Sequence, residues 1–469
     1  MTPPARFDLI VRGGNLAVGD SVARIDLGIR DGRILAIAEQ LEDASHIIEA
    51  QGRLVLPGGV DAHCHMDQPV YGAVCADDFA SGTLSAACGG NTTIVPFAMA
   101  EPSSPLPQTV ARYRARAEEH ALIDYAIHPT IQATTPQILE QDLPDLIRNG
   151  YASLKIFTTY SGFRLDDREV LQVLKVAARH GALVMVHAEN DSIIEMATQD
   201  LLSRGLHAPR YHAAARPVLA EREAIHRIAC FAEMTGAEVL IVHVSSHEGL
   251  QEVNSARGRG VRIHAETCPQ YLLFTEDALD HGGLEAAKLI CSPPLRKASD
   301  QAALWSGMAQ GSIAVYSSDH SPYRFEGPDG KLRHGPQSRF DEIANGMPGL
   351  ELRLPLLFSE GYQKGKISLA QFVSLSSTKA AELHGIAPRK GAIAIGADAD
   401  LAIWDRDRET TISRSLLHDR VDYTPYESMR IKGWPVTTIS RGEVIVEDGQ
   451  VLGVPGRGQF VSSKSRVAS

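Results

Sequence analysis

Eight short runs rich in apolar and β-branched residues recur along the middle of the chain, most of them parted by a segment with apolar residues at helical spacing. The runs are "VLPGGVDAHCH", "NTTIVPFA", "DYAIHPTI", "SLKIFTTY", "ALVMVHAE", "EVLIVHVS", "VRIHAETCP" and "IAVYSSDH". Between them lie segments such as "PQTVARYRARAEEHA", "DREVLQVLKVAARHG" and "AEREAIHRIACFAEMTG", whose apolar positions fall every three or four residues. Strand followed by helix, repeated in this way, calls for parallel strands with helical crossovers. Eight such units point to a closed barrel rather than an open sheet. One extra run, "AKLICSPPLR", falls between the seventh and the eighth. No short-period repeat of the solenoid kind is present.

The two ends of the chain have another texture. "FDLIVRGGNLAV", "VARIDLGIRDGRILAIAE" and "HIIEAQGRLVLPGG" near the start are short β-rich runs broken by Gly-Gly, Asp-Gly and Gln-Gly turns. "KGAIAIGADADLAIWD" and "SMRIKGWPVTTISRGEVIVEDGQVL" near the end repeat the pattern. Neither piece is long enough to bury a sheet alone, so both termini are expected to build one small β-domain around an inserted barrel. The expected fold is therefore α/β: a (β/α)8 TIM-like barrel over residues 57–389, with a small β-sandwich domain from residues 1–56 and 390–469. The polar stretch from about residue 455 is expected to be an extended, mobile tail.

Composition narrows the function. The chain has 469 residues, 44% hydrophobic and 22% charged, ordinary for a soluble globular protein with an ample core. A net charge of -11 without a Lys/Arg-rich tract argues against nucleic acid or an anionic membrane as partner. No stretch approaches the roughly eighteen apolar residues of a membrane span, and the first residues lack the apolar core of a secretion signal. Six cysteines without C-x-x-C spacing form neither a disulfide framework nor a zinc-finger pattern, so a reduced, cytoplasmic setting is the simpler expectation.

The polar residues of the eight runs share a place. His63 and His65 end the first, Lys155 sits in the fourth, His187 in the fifth, His243 in the sixth, and Asp319 closes the eighth. A parallel barrel gathers the C-terminal ends of its strands at one mouth, where barrel active sites lie. Residues two apart on a strand face the same side, so His63 and His65 can reach one cation while Cys64 points the other way and packs. A single histidine at a strand end is more often a hydrogen-bonded core residue, and His128 and His264 are assigned to that class. Four histidines and an aspartate at strand ends, with a lysine in an apolar run, are harder to obtain by chance. Imidazole nitrogen and carboxylate oxygen suit Zn²⁺ and its neighbours. Lys155 is open to two readings: a buried ion pair, or an amine made neutral and nucleophilic by burial.

These residues carry a resemblance. Across nearly the whole chain, "GGVDAHCH", "ADDFASGTLSAACGGNTTIVPFA", "SLKIFTTY", "GALVMVHAEN", "IVHVSS", "ETCPQYL", "SPPLR", "SSDHSPY", "NGMPGLE", "GADADLAIWD" and "VDYTPYES" resemble the cyclic amidohydrolases, most closely the dihydropyrimidinase/hydantoinase branch of the amidohydrolase superfamily. The resemblance implies that Lys155 is carboxylated by CO2 to N6-carboxylysine and bridges two divalent metal ions. His63, His65, Lys155 and Asp319 would hold one ion; Lys155, His187 and His243 would hold the other. Zinc is the first expectation, with manganese, cobalt or iron as alternatives. A hydroxide bridging the ions would attack the ring carbonyl. Tyr160 would stabilise the oxyanion, and Asp319 would carry the proton to the leaving nitrogen. Backbone groups of Ser292 and Asn345 would bind the ring amide. The implied reaction is hydrolytic opening of a 5-substituted hydantoin or dihydropyrimidine to an N-carbamoyl amino acid, by a homotetramer or homodimer acting on a small molecule.

The first loop, "HMDQPVYG", lacks the arginine of allantoinases and dihydroorotases and stands nearer the family's "HLDMPFGG", which suits a neutral ring. It departs from that pattern at Val70 and Tyr71. "FTTYSG" replaces the usual "FMAYKG", so Thr158, Thr159 and Ser161 make that wall smaller and more polar. The alternatives are allantoinase or another cyclic amide or imide hydrolase of the same superfamily and, more remotely, a non-catalytic scaffold protein of this fold, disfavoured because every ligand position is filled.

Overall fold

The computed structural model describes residues 5–18, 21–70, 73–101, 104–280 and 282–465. In chain order the strands begin with β1 (Phe7–Val18), β2 (Ser21–Arg30), β3 (Arg33–Ala38), β4 (Ala44–Glu49) and β5 (Leu54–Pro57). The central strands are β6 (Gly59–Cys64), β7 (Pro69–Val70), β8 (Ala73–Val74), β9 (Asn91–Ala98), β10 (Asp124–Tyr125), β11 (His128–Pro129), β12 (Ser153–Phe157), β13 (Leu183–His187), β14 (Glu238–Ile241), β15 (Ile263–Thr267) and β16 (Val315–Tyr316). The chain ends with β17 (Leu401–Thr411), β18 (Arg430–Ser440), β19 (Glu443–Glu447) and β20 (Gln450–Val451).

The terminal strands merge as the turn residues suggested. Their order is β20-β19-β18-β17-β5-β1-β2-β3, with β4 also paired to β1. β1 divides its length between two partners: Phe7–Arg12 runs beside β4, and Asn15 and Leu16 beside β5. The switch falls where the register against β2 shifts between Val11 and Gly14. A Cβ on Gly14 would lie 2.4 Å from Val55, so a bare backbone is needed there. Leu9, Val11, Leu27 and Ile29 from one end of the chain share a core with Leu401, Ile403, Val436 and Ile439 from the other.

The central strands close a barrel. β6 pairs with β9, β9 with β10 and β11, and β12-β13-β14-β15-β16 follow in unbroken parallel order. Parallel bridges Thr130–Lys155 and Cys64–His320 join the two arcs. The third predicted run is broken into the two dipeptides β10 and β11, so the strands number eight if these count as one. The crossover segments predicted as helices are Leu106–His120, Asp167–His180 and Val218–Thr235. Asp166 caps the second of these through a capping box with Glu169. The extra run "AKLICSPPLR" forms no strand; Gly283–Leu289 is a 3-10 helix, and the rest is an irregular loop.

Alternation along the strands separates inside from outside. In β13, Leu183 and Met185 join the barrel-interior cluster, while Val184 and Val186 pack outward under the helices. In β12, Phe157 lines the interior and Leu154 and Ile156 face the helices, which places Lys155 in the inward row. In β6, Val60 and Ala62 face in and Cys64 faces out, across a register shift between Asp61 and Cys64.

The expectation of a free polar tail is corrected as far as Lys464. Gly456 and Gly458 donate backbone N–H to Ala121, Val461 donates to Tyr125, Ser463 to Gly150 and Lys464 to Gly385. The segment is extended, as expected, but an extended backbone presents a full row of donors and acceptors, and this one pairs along the start of the third barrel strand and buries Val461. Residues 466–469 of the expected tail lie outside the described residues, as does Tyr71. Among the described residues no helix is long and apolar enough to cross a membrane.

Candidate active site at the barrel mouth

All nine residues singled out in the sequence (His63, His65, Lys155, Tyr160, His187, His243, Ser292, Asp319 and Asn345) line one cavity of about 40 Å³, with Phe157, Ser321 and Tyr323 completing the wall. They come from five strand ends and the loops that follow strands. An outer cavity of about 250 Å³ shares Tyr160 and Asn345 with it and adds Ile194, Thr198, Ala215, Arg216, Phe340 and Ile343.

The imidazoles are packed together. Ring centroids lie 5.7 Å apart for His63 and His65, 5.4 Å for His63 and His243, and 4.5 Å for His187 and His243. Oδ1 of Asp319 is 3.2 Å from Nε2 of His63 and 3.6 Å from Nε2 of His65. Three of the nine residues hold positive backbone φ: Tyr160 at 77°, His243 at 41° and Asp319 at 48°. Non-glycine residues in that region carry strain, which functional sites tolerate because surrounding structure enforces it.

Two carboxylates that the sequence reading missed stand behind this group. Glu266 receives Nδ1–H of His63 at 2.6 Å, and its other oxygen accepts from Ser317 at 2.9 Å. Glu189 receives Nε2–H of His187 at 2.7 Å and is gripped by Arg216, Nε at 3.0 Å and Nη2 at 2.5 Å. Each lies two residues beyond a histidine, in "HAET" and "HAEN", and on an extended backbone such a neighbour shares its face. For Glu189 that spacing from His187 was the available signal; the histidine before Glu266 is His264, outside the cavity, so Glu266 had none. His128 and His264 do play the ordinary roles assigned to them: His128 bonds Ser153 and the carbonyl of Ala62, and His264 pairs with Glu238.

Thr158 and Thr159 do not line the inner cavity. The Thr158 hydroxyl donates to the carbonyls of His187 and Glu189, and Thr159 donates to Asp191, which also accepts from the backbone N–H of Tyr160. Both brace the Tyr160 turn against the end of β13. The Tyr160 ring lies under the Arg216 guanidinium, 5.1 Å away, and burial raises its phenol further above the ordinary range, so it stays a proton donor.

The electrostatics suit a cation. Burial would lower His63, but Glu266 and Asp319 outweigh it and carry the imidazole up to about 9. A ring with two carboxylates against it thus attracts positive charge, which a metal ion would supply in place of the proton. Burial would raise Asp319, yet His63, His65 and His243 hold it well below the ordinary carboxylate range. Burial lowers His187 to about 4, and burial also takes His243 well below its ordinary value. Nδ1 of His65 and of His243 are buried without a hydrogen-bond partner among the described residues. Leaving such a group unpaired costs about 1–3 kcal/mol, and His63, His65 and Asp319 place ligand atoms within 4.8 Å of one another. The donor set, nitrogen and carboxylate oxygen, fits a divalent transition ion. Lys155 is buried, its Nζ 4.9 Å from the ring centres of Phe97 and Phe157, and burial lowers it to about 8.

The profile of the amidohydrolase family matches residues 54–445, which takes in every residue of this cavity. The chain belongs to that family. Within it, the chain falls in the hydantoinase branch. It is 39% identical to a D-hydantoinase of Ralstonia pickettii over 98% of this chain and 99% of that one, and 40% identical to a D-hydantoinase of Geobacillus stearothermophilus over 96% of each. The solved structure of a dihydropyrimidinase from Brevibacillus agri superposes with a TM-score of 0.94 at 37% identity, covering 98% of this chain and 99% of that one. This amidohydrolase is therefore an enzyme of the class that hydrolyses cyclic amides, built on a TIM-like barrel, and the family implies a divalent metal centre.

Proposed function

We propose that this amidohydrolase opens the ring of a 5-substituted hydantoin or dihydropyrimidine by hydrolysis, releasing an N-carbamoyl amino acid. The observation that carries the reading is the convergence of all nine candidate residues on one cavity at the C-terminal mouth of the barrel. His63, His65, Asp319 and a carboxylated Lys155 would hold one divalent ion, and Lys155, His187 and His243 the second, zinc suiting the donor set best. When bound, the pair would act as a Lewis acid that polarises the ring carbonyl and makes water a nucleophile near neutrality. A lysine lowered to about 8 keeps a usable fraction of neutral amine, the form that adds CO2.

The remaining chemistry belongs to the protein. Asp319, held as a carboxylate by three histidines, takes the proton of the attacking water and delivers it to the ring nitrogen as the C–N bond breaks. The Tyr160 phenol, fixed in its positive-φ turn, donates to the oxygen on which negative charge develops. Backbone groups of Ser292 and Asn345 hold the ring amide. Gly346 must follow Asn345 because a Cβ there would meet Ser321 at 2.2 Å. Glu266 and Glu189 fix the tautomers of His63 and His187. The ring enters through the outer cavity, whose Ile194, Phe340 and Ile343 would face an exocyclic substituent.

The test is a substrate panel on enzyme loaded with metal under CO2: hydantoins, dihydrouracil, allantoin, dihydroorotate and cyclic imides, with metal content measured in parallel. Turnover of hydantoins or dihydrouracil with about two ions per chain is expected. Preference for allantoin or an imide would reassign the ring, and an inert, metal-free chain would mark a scaffold protein.

A further inference from the structure

Behind the cavity lies a buried lysine that the mechanism does not use. Lys331 is fully buried, and its Nζ donates to the carbonyl of Ile290 at 2.9 Å and of Ala344 at 2.7 Å. Those carbonyls stand two residues before Ser292 and one before Asn345. The backbone N–H of Gly346 also donates to Ile290, at 3.0 Å, so the two segments are already joined once and Lys331 adds a second clasp. Further bonds seat the first segment: His212 pairs with the Cys291 carbonyl at 2.8 Å, and Tyr271 donates to that of Pro293 at 2.8 Å. The second segment is anchored on its far side, where the Met347 carbonyl accepts from the backbone N–H of Ser321 at 3.0 Å and Gly349 and Leu350 donate to His320, while the Lys331 bond to Ala344 and the Gly346 bond to Ile290 tie it directly to the first.

We propose that Lys331 is a positioning residue that sets the spacing between the Ser292 and Asn345 backbone groups, and so the fit of the ring amide between them. This rests on the reading of those two segments as the ring-amide binders. Burying an amine among carbonyls, with no carboxylate against it among the described residues, is costly unless the bonds it makes are needed. Burial lowers Lys331 to about 7. The neutral amine still carries two N–H bonds, one for each carbonyl, so the clasp survives loss of the charge. What matters is donor geometry.

The experiment compares wild type, Lys331→Met and Lys331→Gln as metal-loaded enzymes, with hydantoin and its ring N-methyl derivatives as substrates. Wild type should reject at least one N-methyl derivative. Lys331→Met should raise KM for the parent ring roughly tenfold, the weight of one hydrogen bond's loss, while kcat stays within about threefold and discrimination against the N-methyl ring shrinks. Lys331→Gln, which keeps two N–H donors, should recover part of both. If Lys331→Met fails to fold, Lys331→Gln carries the test alone through the same KM and discrimination shifts. Wild-type KM and discrimination in the folded variants would overturn the role of Lys331 and leave the ring-binding reading standing, as would a fall in kcat alone. A wild type indifferent to ring N-methylation would overturn the ring-binding reading and this proposal with it.

Discussion

Asp319 shows how much one side chain can be asked to do when its neighbours settle its charge. With imidazoles at 3.2 and 3.6 Å it is kept ionised while 6% exposed, which suits the proposed role of binding a cation and carrying a proton. Asp319→Ala is expected to lower kcat by about 10²–10⁴-fold with a much smaller loss of metal by elemental analysis; wild-type kcat would remove the proton transfer from this residue. Glu266 acts one step further out. Its bond to Nδ1 of His63 leaves Nε2 as the free lone pair, so Glu266→Gln should weaken metal retention about 10–100-fold in chelator competition. Unchanged retention would reduce Glu266 to a packing residue. His63 and His65 were legible because their spacing already places both on one face. Glu266 was not, because a glutamate after a strand histidine reads equally well as a solvated end until the barrel closes over it.

At the scale of elements, the turn that carries Asp319 is set by its neighbour. His320 is fully buried; its Nδ1 accepts from the backbone N–H groups of Gly349 and Leu350, which leaves Nε2–H to donate to Asp77 at 3.1 Å. Its carbonyl accepts from the backbone of His65 at 2.7 Å. The end of the eighth strand, the first barrel strand with its His63 and His65, the Asn345 loop and the segment near Asp77 thus meet on one imidazole. Asp77 also takes the backbone N–H of Arg420, which brings Asp419 close, and burial together with Asp77 pushes Asp419 up to about 6. A carboxyl whose folded value is raised contributes stability that is whole below about pH 3.8 and lost as pH climbs through about 6. Asp419→Asn, which keeps an acceptor for the Val421 N–H, should therefore gain on wild type between pH 4.5 and 7, by up to roughly 3 kcal/mol. Urea unfolding at both pH values checks this, and a difference that does not vary with pH refutes it.

For the whole molecule, the joint between barrel and terminal sheet is a buried charge cluster. Lys390 contacts Asp124 of β10 at 2.6 Å, Asp400 at 2.6 Å and Asp398 at 2.9 Å, while Arg441 and Arg389 brace two of these carboxylates. Burial would lower Lys390, but Asp400, Asp124 and Asp398 hold it well above the ordinary lysine range. Asp124 also accepts the backbone N–H of Gln459, which ties in the last described segment. Lys390→Met removes the cation that three aspartates share, leaving Asp400 without a charged side-chain partner among the described residues, and is expected to cost about 3–5 kcal/mol of unfolding free energy, read by urea denaturation with one transition shared by sheet and barrel; a stable variant would show the cluster to be dispensable. Period-two and period-3.6 patterning, together with turn residues at both ends, were enough to determine the barrel, the sheet made from the termini and the row of candidate ligands, because local periodicity dictates which face each side chain takes. Only the folded chain decided that Glu266 and Glu189 stand behind the histidines, that Lys331 clasps two loops, and that the tail is pinned. Those contacts join residues far apart in sequence, and no local pattern encodes which distant backbone will arrive beside them.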